Sequence, residues 1–364
     1  MNVRISLVTL GVLVALGASL TLNMNNQSFA DFRSSLQSLN EPKPADAFEG
    51  IIKAFDKFPI VALGEAHRLQ EEADFIAQLI RRSDFSAKVN TIVVEFGNAL
   101  YQDVIDRYVA GQEVSRTELR QVWRNTTQFF VWDAAIYEQF FVNVRAVNQS
   151  LPAARRLRVL LGDPPIDWTK VQTREDWLHF MRRDYGPKVV EQEILTKNRK
   201  ALIIYGSGHI MRKFKMAEIA LLEQKYPQSM FIVHPYYGFY ERNDELEPRF
   251  AKWPKPSLAP VKGTWLGALD GSLVMRVIAR SPGRDPYNPY AGTKLEELVD
   301  AYLYLGPSDS LTTSVPLPET YQDEAYVKEL KRRFNVIGWE LNPETFTRTL
   351  PRKYRDHIMG IGAR

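Results

Sequence analysis

The chain alternates short runs of consecutive apolar residues with longer stretches in which apolar residues recur every three or four positions. The short runs cover 59–64 (PIVALG), 89–96 (VNTIVVEF), 157–162 (LRVLLG), 201–206 (ALIIYG) and 230–234 (MFIVH). Runs of this length without polar alternation indicate strands that are buried on both faces, as in a parallel sheet.

Helical patterns lie between these runs. Residues 70–82 place Phe75, Ile76, Leu79 and Ile80 on one face, and similar patterns cover 133–148 and 174–199, the last with a bend near Gly186-Pro187. Strands and helices in this order predict an α/β fold with a mostly parallel central sheet, flanked by helices on both faces.

The last third of the chain has a different pattern and is predicted to be a C-terminal extension of short strands and helices (241–364). It divides into a charged, proline-rich loop (241–262), two short strands around the turn dipeptide Asp270-Gly271 (263–280), a second loop (281–292), a helix (293–306) and a helix near 323–337. We expect this extension to pack on an α/β core formed by residues 51–240.

The first 30 residues have the pattern of a secretory signal peptide. Arg4 precedes an apolar run from Ile5 to Leu22, and Ser28-Phe29-Ala30 offers a cleavage site. A run of this length can also act as an uncleaved membrane anchor through residues 5–22. In both cases we expect an exported protein, periplasmic or extracellular, whose polar lead-in (31–50) precedes the core.

Composition excludes several classes of site. The chain has no cysteine, which rules out disulfides, thiolate metal sites, cysteine nucleophiles and a lipoprotein anchor. The net charge of +4 is small for 364 residues, and no basic stripe is interleaved with aromatic residues, so we expect no nucleic-acid partner.

Four successive predicted strands end in an acid or a histidine. The first ends in Glu65 and His67, the second in Glu95, the third in Asp163, and the fourth leads to His209. In open α/β sheets ligands bind outside the carboxyl ends of the strands, so these side chains are expected to converge on one cleft.

Such a set supports two kinds of water activation. Glu65, His67, Glu95, Asp163 and His209 could hold a divalent metal such as Mn, Co or Zn with a coordinated water. Without metal, His67 would take a proton from water, Glu65 or Glu95 would orient it, and His209 would act as the acid on the other side. The spacing leaves both open.

Each residue also has a purely structural interpretation. Glu65 or His67 could cap the following helix, Glu95 could pair with Arg107 or Arg145, and Asp163 could be a turn residue before Pro164. His234 is a weaker candidate member of the site. Ser207 is a poor candidate nucleophile, since Tyr205 stands where the nucleophile-elbow motif has its first glycine.

The "LGEAH", "VVEFGN" and "GSGHI" segments resemble the superfamily that joins erythromycin esterases, ChaN-type haem-binding proteins and Tiki metalloproteases. The resemblance spans roughly residues 55 to 235, and the short Glu-x-His spacing is most similar to the ChaN-like branch. It implies that Glu65, His67, Glu95 and His209 form the functional site, while Asp163 matches the pattern less clearly.

The resemblance implies two functions. One is a hydrolase acting on a small-molecule or peptide substrate, by activating water with or without a metal. The other is haem or porphyrin binding without catalysis, in which a Tyr or His would ligate the iron and the aromatic tract 122–141 would form the walls. Core packing is the alternative explanation of that tract.

Overall fold

In the computed structural model, the described residues are 39–339 apart from 182–183, 215–216, 239–242 and 276–287. They form one eight-stranded sheet with helices on both faces, which confirms the predicted fold class. The strands are β1 (Ala45–Asp46), β2 (Ile60–Glu65), β3 (Thr91–Asn98), β4 (Arg158–Asp163), β5 (Ala201–Gly206), β6 (Met230–Pro235), β7 (Ser257–Pro260) and β8 (Ala301–Tyr304).

The strand order is β1-β7-β8-β6-β2-β5-β3-β4, and the pairs from β8 to β4 are parallel. Strand β7 is antiparallel to both of its neighbours, β1 and β8. All five runs that the sequence analysis assigns to strands are β2 to β6. Strands β2, β5 and β3 are adjacent, so the segments with Glu65, Glu95 and His209 leave the same edge of the sheet.

Alternate residues of each strand enter opposite core layers, which explains why the strands read as continuous apolar runs. On β2, Val61 and Leu63 belong to one layer, while Ile60 and Ala62 belong to the other. Every residue of β2, β3 and β5 is buried.

The helices connect the strands and cover both faces. The α-helices are Ala47–Ala54, Gln70–Arg81, Ser83–Lys88, Gln102–Val109, Arg116–Arg124, Ala135–Ser150, Arg174–Phe180, Tyr185–Val190, Ser207–Ile210, Leu222–Lys225, Asn243–Phe250, Trp265–Ala268, Gly271–Val274, Leu295–Leu298 and Glu324–Ile337. Glu191–Leu195 is a π-helical turn, and Ala99–Tyr101, Ala153–Arg155 and Pro318–Thr320 are 3₁₀ turns.

The predictions for residues 241–275 and 293–306 are wrong in detail. The stretch 241–262, predicted as a loop, contains the helix Asn243–Phe250 and strand β7. Asp270 does not begin a hairpin turn; its carboxylate accepts a hydrogen bond from the Ser272 backbone N–H at 2.9 Å and caps the short helix Gly271–Val274. The predicted helix 293–306 is one helical turn followed by β8.

The predictions for the first 50 residues and for the loop 281–292 can be compared with the structure only in part. Residues 45–50 of the polar lead-in form β1 and the start of the first helix, whereas the signal or anchor at 1–30 and most of the loop 281–292 lie outside the described residues. Among the helices that the structure describes, none has the length and apolar character needed to cross a membrane.

Candidate functional site

Glu65 and His67 form a bonded pair at the carboxyl end of β2. The His67 Nδ1 is hydrogen-bonded to Glu65 Oε2, and the Tyr137 hydroxyl donates to Glu65 Oε1 at 3.0 Å. In the neutral tautomer that donates Nδ1–H to the carboxylate, the His67 Nε2 carries a lone pair. His67 has 42% of its side-chain surface exposed and Glu65 only 7%, so the imidazole faces the cleft and the carboxylate lies behind it, on the buried side.

The turn after His67 is held in an unusual conformation. Arg68 has a φ of 71°, in the left-handed region that is costly for a side chain of this type. Its backbone N–H donates to the Tyr137 hydroxyl at 3.2 Å, and the Ala66 N–H donates to Glu72 Oε2 at 2.8 Å. The surrounding structure therefore fixes the position of His67 through its backbone neighbours.

Burial raises the pKa of the Glu72 carboxyl well above its usual value, and the nearby Glu65 charge raises it further. Both effects favour the protonated form of Glu72. Burial lowers the pKa of His67, but the charge and hydrogen bond of Glu65 outweigh this effect and place that pKa above its usual value.

Glu95 lies where the pairing of β3 with β4 becomes irregular, between Val94 and Asn98. Its Oε2 accepts from the Gly206 backbone N–H at 2.7 Å, and its Oε1 lies 3.1 Å from His209 Nε2. Neither Arg107 nor Arg145 is its partner: Arg107 pairs with Asp103 and Glu118, and Arg145 donates mainly to backbone carbonyls.

The Glu95 carboxylate is held ionised although it is buried. Burial alone would raise its pKa, but the His209 charge and hydrogen bond, the His67 charge and the Gly206 N–H together lower that pKa to about 2.

His209 is bonded to carboxylates through both ring nitrogens. Its Nε2 faces Glu95, and its Nδ1 lies 2.8 Å from Glu218 Oε1. Burial would lower the pKa of His209, but the Glu95 charge and the hydrogen bond to Glu218 outweigh it and hold that pKa well above its usual value. His209 is therefore an imidazolium, a proton donor at the site, while His67 has a lone pair at Nε2 only in its neutral form.

The structure brings three of these groups together around Gly206. A methyl group in place of the Gly206 hydrogen would lie 3.2 Å from Glu95 Oε2, 3.3 Å from His67 Cε1 and 3.4 Å from His209 Cδ2. Glu65 joins them through its bond to His67. Glu65, His67, Glu95 and His209 thus border one small volume at the carboxyl edge of the sheet.

Asp163 and His234 have different surroundings. Both Asp163 oxygens accept hydrogen bonds from Thr127, one from its hydroxyl and one from its backbone N–H at 2.9 Å. Burial raises the pKa of Asp163 well above its usual value. His234 is fully buried, which lowers its pKa to about 3, and its Nδ1 lies 3.2 Å from the Ser207 hydroxyl. Ser207 is itself buried.

The donor atoms do not fit a metal site. Among the residues that the structure describes, no group of three or more His, Asp or Glu side chains is placed to hold an ion. The physical reason is that these side chains are already hydrogen-bonded to other protein groups. Glu65 is bonded to His67 and Tyr137, Glu95 to His209 and the Gly206 N–H, and Asp163 to Thr127.

The aromatic tract 122–141 packs into the core. Trp123 stacks on Phe141 with ring centroids 5.7 Å apart, and Trp132 packs edge-on against Tyr137 at 5.1 Å. The cavity next to Tyr137 and Phe140 has a volume of about 40 Å³. This space suits water molecules, and a porphyrin is far larger.

Sequence reasoning missed three residues at the site. Tyr137 is hidden in the aromatic tract, and Glu218 follows His209 by nine positions in a segment without a motif. Gln128 donates from its amide to Glu95 Oε1 at 3.4 Å. Of these three residues, only Tyr137 could have been singled out from the sequence, because it is the one tyrosine, and so the one phenolic hydroxyl, in the helical pattern 133–148.

Comparison with known proteins gives matches only among solved structures; no protein-family model matches the chain, and no curated protein does either. A crystal structure of a Bacillus cereus protein is 10% identical, with a TM-score of 0.49, and the match covers 78% of this chain and 98% of that one. A mutant of the erythromycin esterase EreC in its open conformation is 12% identical, with a TM-score of 0.45, covering 71% and 93%.

A third similar structure is ChaN of Campylobacter jejuni with cofacially bound haem, which is 16% identical, with a TM-score of 0.36, covering 52% of this chain and 86% of that one. The structural neighbours thus include an erythromycin esterase and a ChaN protein, two of the groups that the motifs resemble. All three TM-scores are below 0.5.

Proposed function

We propose that this protein is an exported hydrolase that activates water with His67 and cleaves neutral esters, lactones or peptides. The observation that carries the proposal is the opposition of two imidazoles around Gly206: His67, bonded through Nδ1 to Glu65, and His209, held between Glu95 and Glu218. Hydrolysis at a carbonyl requires a base and an acid, and a neutral His67 would serve as the base while a protonated His209 serves as the acid.

The reaction follows from these states. A water oxygen bonds to the substrate carbonyl carbon while its proton moves to His67 Nε2, and Glu65 stabilises the imidazolium that forms. When the bond from carbon to the leaving oxygen or nitrogen breaks, the leaving atom takes a proton from His209 Nε2. Solvent then removes the proton from His67 and returns one to His209. The donor arrangement does not fit a metal, and no step uses one.

The charge of the site favours neutral substrates. Glu65, Glu95 and Glu218 surround the two imidazoles, and the nearby Arg68 guanidinium is bonded to Asp133. A phosphate dianion would meet several carboxylates at short range, which is unfavourable in a partly buried site.

A substrate panel tests the proposed function. We would compare hydrolysis of aryl acetates and butyrates, a macrocyclic lactone, a peptide and an aryl phosphate monoester. We expect turnover of at least one carbonyl substrate and none of the phosphate. His179→Ala is the matched control, because His179 is an exposed histidine, and this variant should keep the wild-type rates. Turnover of the phosphate alone, or of nothing in the panel, would overturn the proposal.

The pH dependence of hydrolysis should respond to Glu218. Activity requires a deprotonated His67 and a protonated His209, so kcat/KM should fall at high pH as His209 loses its proton. Glu218→Gln removes a carboxylate that stabilises the imidazolium, which lowers the His209 pKa and shifts the alkaline fall to lower pH.

The acidic side of the same profile, set by His67, should move little in Glu218→Gln. Glu175→Gln, a change at an exposed carboxylate, is the control. A profile of Glu218→Gln that superimposes on the wild-type profile would contradict the assigned role of His209.

A hemin titration tests the haem-binding alternative. The aromatic tract is packed on itself and the cavity lined by Tyr137 and Phe140 is small, so we expect no stoichiometric Soret shift when hemin is added to the purified protein. A shift that saturates at one equivalent and disappears in Tyr137→Phe or His67→Ala would favour the haem-binding function over the hydrolase.

A further inference from the structure

Residues 125–128 are the first part of the loop between the helices Arg116–Arg124 and Ala135–Ser150. Buried polar side chains from several elements hold them in place. Its backbone carbonyls accept from Asn98 Nδ2 (to Asn125 O, 2.6 Å), Trp168 Nε1 (to Thr126 O, 3.1 Å) and Trp177 Nε1 (to Thr127 O, 3.0 Å). All three donors are buried. A surface loop rarely receives this many buried donors, because each must be matched to a fixed backbone position.

Two further side chains complete the support. Asp163 accepts from the Thr127 backbone and hydroxyl, and Arg333 Nη2 donates to Asn125 Oδ1 at 2.7 Å. Arg333 comes from the C-terminal helix and is 4% exposed. The loop is therefore fixed from the strand ends, from the 166–177 segment and from the C-terminal helix at once.

Gln128 is the residue that this loop presents to the site. Its side chain is half-buried, and its Nε2 donates to Glu95 Oε1 at 3.4 Å. The same oxygen lies 3.1 Å from His209 Nε2. Two N–H donors thus converge on one carboxylate oxygen at the cleft, one from a rigid loop and one from the imidazolium.

We propose that Gln128 is a further catalytic residue, which donates an amide N–H to the carbonyl oxygen of the substrate and stabilises the negative charge that develops there. An amide carries two N–H groups, so Gln128 can keep its long bond to Glu95 and give the other to the substrate. Donors fixed before the reaction are effective because they need no reorganisation as charge develops. The rigid support of residues 125–128 supplies this fixation.

This inference rests on the proposed function, and it gives Asp163 a defined role. When water adds to the carbonyl carbon, the carbonyl π electrons move to oxygen, and Gln128 faces the resulting anion, while His209 remains the acid for the leaving atom. Asp163 acts at a distance, as a positioning residue that holds Thr127 next to Gln128. The site would therefore select substrates with a carbonyl oxygen that accepts a hydrogen bond.

The test uses Gln128→Leu and Gln128→Glu, with Gln78→Leu as a matched control on the exposed side of the helix Gln70–Arg81. We would measure kcat and KM for the best carbonyl substrate of the panel. Loss of one oxyanion donor typically lowers kcat by about 10²- to 10³-fold, and we expect a loss of this size in both variants with KM changed less than about threefold. Gln78→Leu should match the wild type.

The outcomes separate this inference from the proposed function. If His67→Ala abolishes hydrolysis while Gln128→Leu keeps its kcat within about threefold, Gln128 is not catalytic and the hydrolase proposal stands. If the melting temperature of both Gln128 variants falls well below that of Gln78→Leu and KM rises as kcat falls, the role is structural and the inference is overturned. If the wild type hydrolyses nothing, both proposals fail.

Discussion

Replacing His67 with alanine is expected to lower kcat/KM for neutral esters by about 10³-fold, the usual scale for losing a positioned general base. His67 is the imidazole whose Nδ1 is fixed by Glu65 and whose Nε2 remains free to accept a proton. Alanine removes the proton acceptor and leaves the rest of the site in place. Initial rates with an aryl acetate at a pH above the His67 pKa measure the effect.

The fold should survive this change. The His67 side chain is 42% exposed, so its removal leaves no large internal cavity. His179→Ala controls for loss of a surface histidine, and circular dichroism confirms folding. If His67→Ala hydrolyses esters as fast as the wild type, His67 is not the base.

The second large effect concerns stability in acid. The Glu95 pKa falls from 4.5 to about 2 in the folded protein. A group with a lowered folded pKa contributes stability above its unfolded pKa, and this is lost as pH falls through the folded value. The wild type should therefore lose about 3 kcal/mol of its free energy of unfolding between pH 5 and pH 2 through this one group.

Glu95→Gln tests this directly, because the amide keeps the shape of the side chain and does not titrate. We would measure denaturant unfolding at several pH values in this range for wild type, Glu95→Gln and the exposed-site control Glu175→Gln. The stability difference between wild type and Glu95→Gln should shrink as pH falls. A difference that stays constant with pH would show that Glu95 is not held ionised by His209 and Gly206.

The parts of the fold that the sequence predicts well are the buried parallel strands. Strands β2 to β6 are runs of consecutive apolar residues, and only a strand covered on both faces needs that pattern. The candidate site follows from the same argument: Glu65 and the turn carrying His209 stand at the ends of β2 and β5, and Glu95 lies in the last half of the adjacent β3, so topology alone brings them near one another.

The C-terminal part was predicted poorly because its signals are short and ambiguous. Strand β8 has four residues, Ala301–Tyr304, and directly follows a helical turn, so the combined stretch has helical periodicity. Strand β7 ends in Pro260 and lies in a segment rich in proline and charge. Pairing with β8 and β1 makes this segment a strand, and such pairing is not visible in local sequence.

The site residues that were missed depend on tertiary contacts. Glu218 reaches His209 across a segment without a motif, and Tyr137 reaches Glu65 from a helix 72 positions away. Asp163 ends a strand like the others, yet the loop with Thr127 takes both of its oxygens. Position at a strand end predicts proximity to the cleft; which neighbour satisfies the side chain depends on the loops.

The joint action of His67 and His209 at one site is tested most directly by a double-mutant comparison. Wild type, His67→Ala, His209→Ala and the double variant would be assayed on the same carbonyl substrate. Residues that act as a unit are strongly non-additive, so the double variant should be no more than about threefold slower than the slower single variant. Losses that simply multiply, or equal rates in all four proteins, would contradict a shared site.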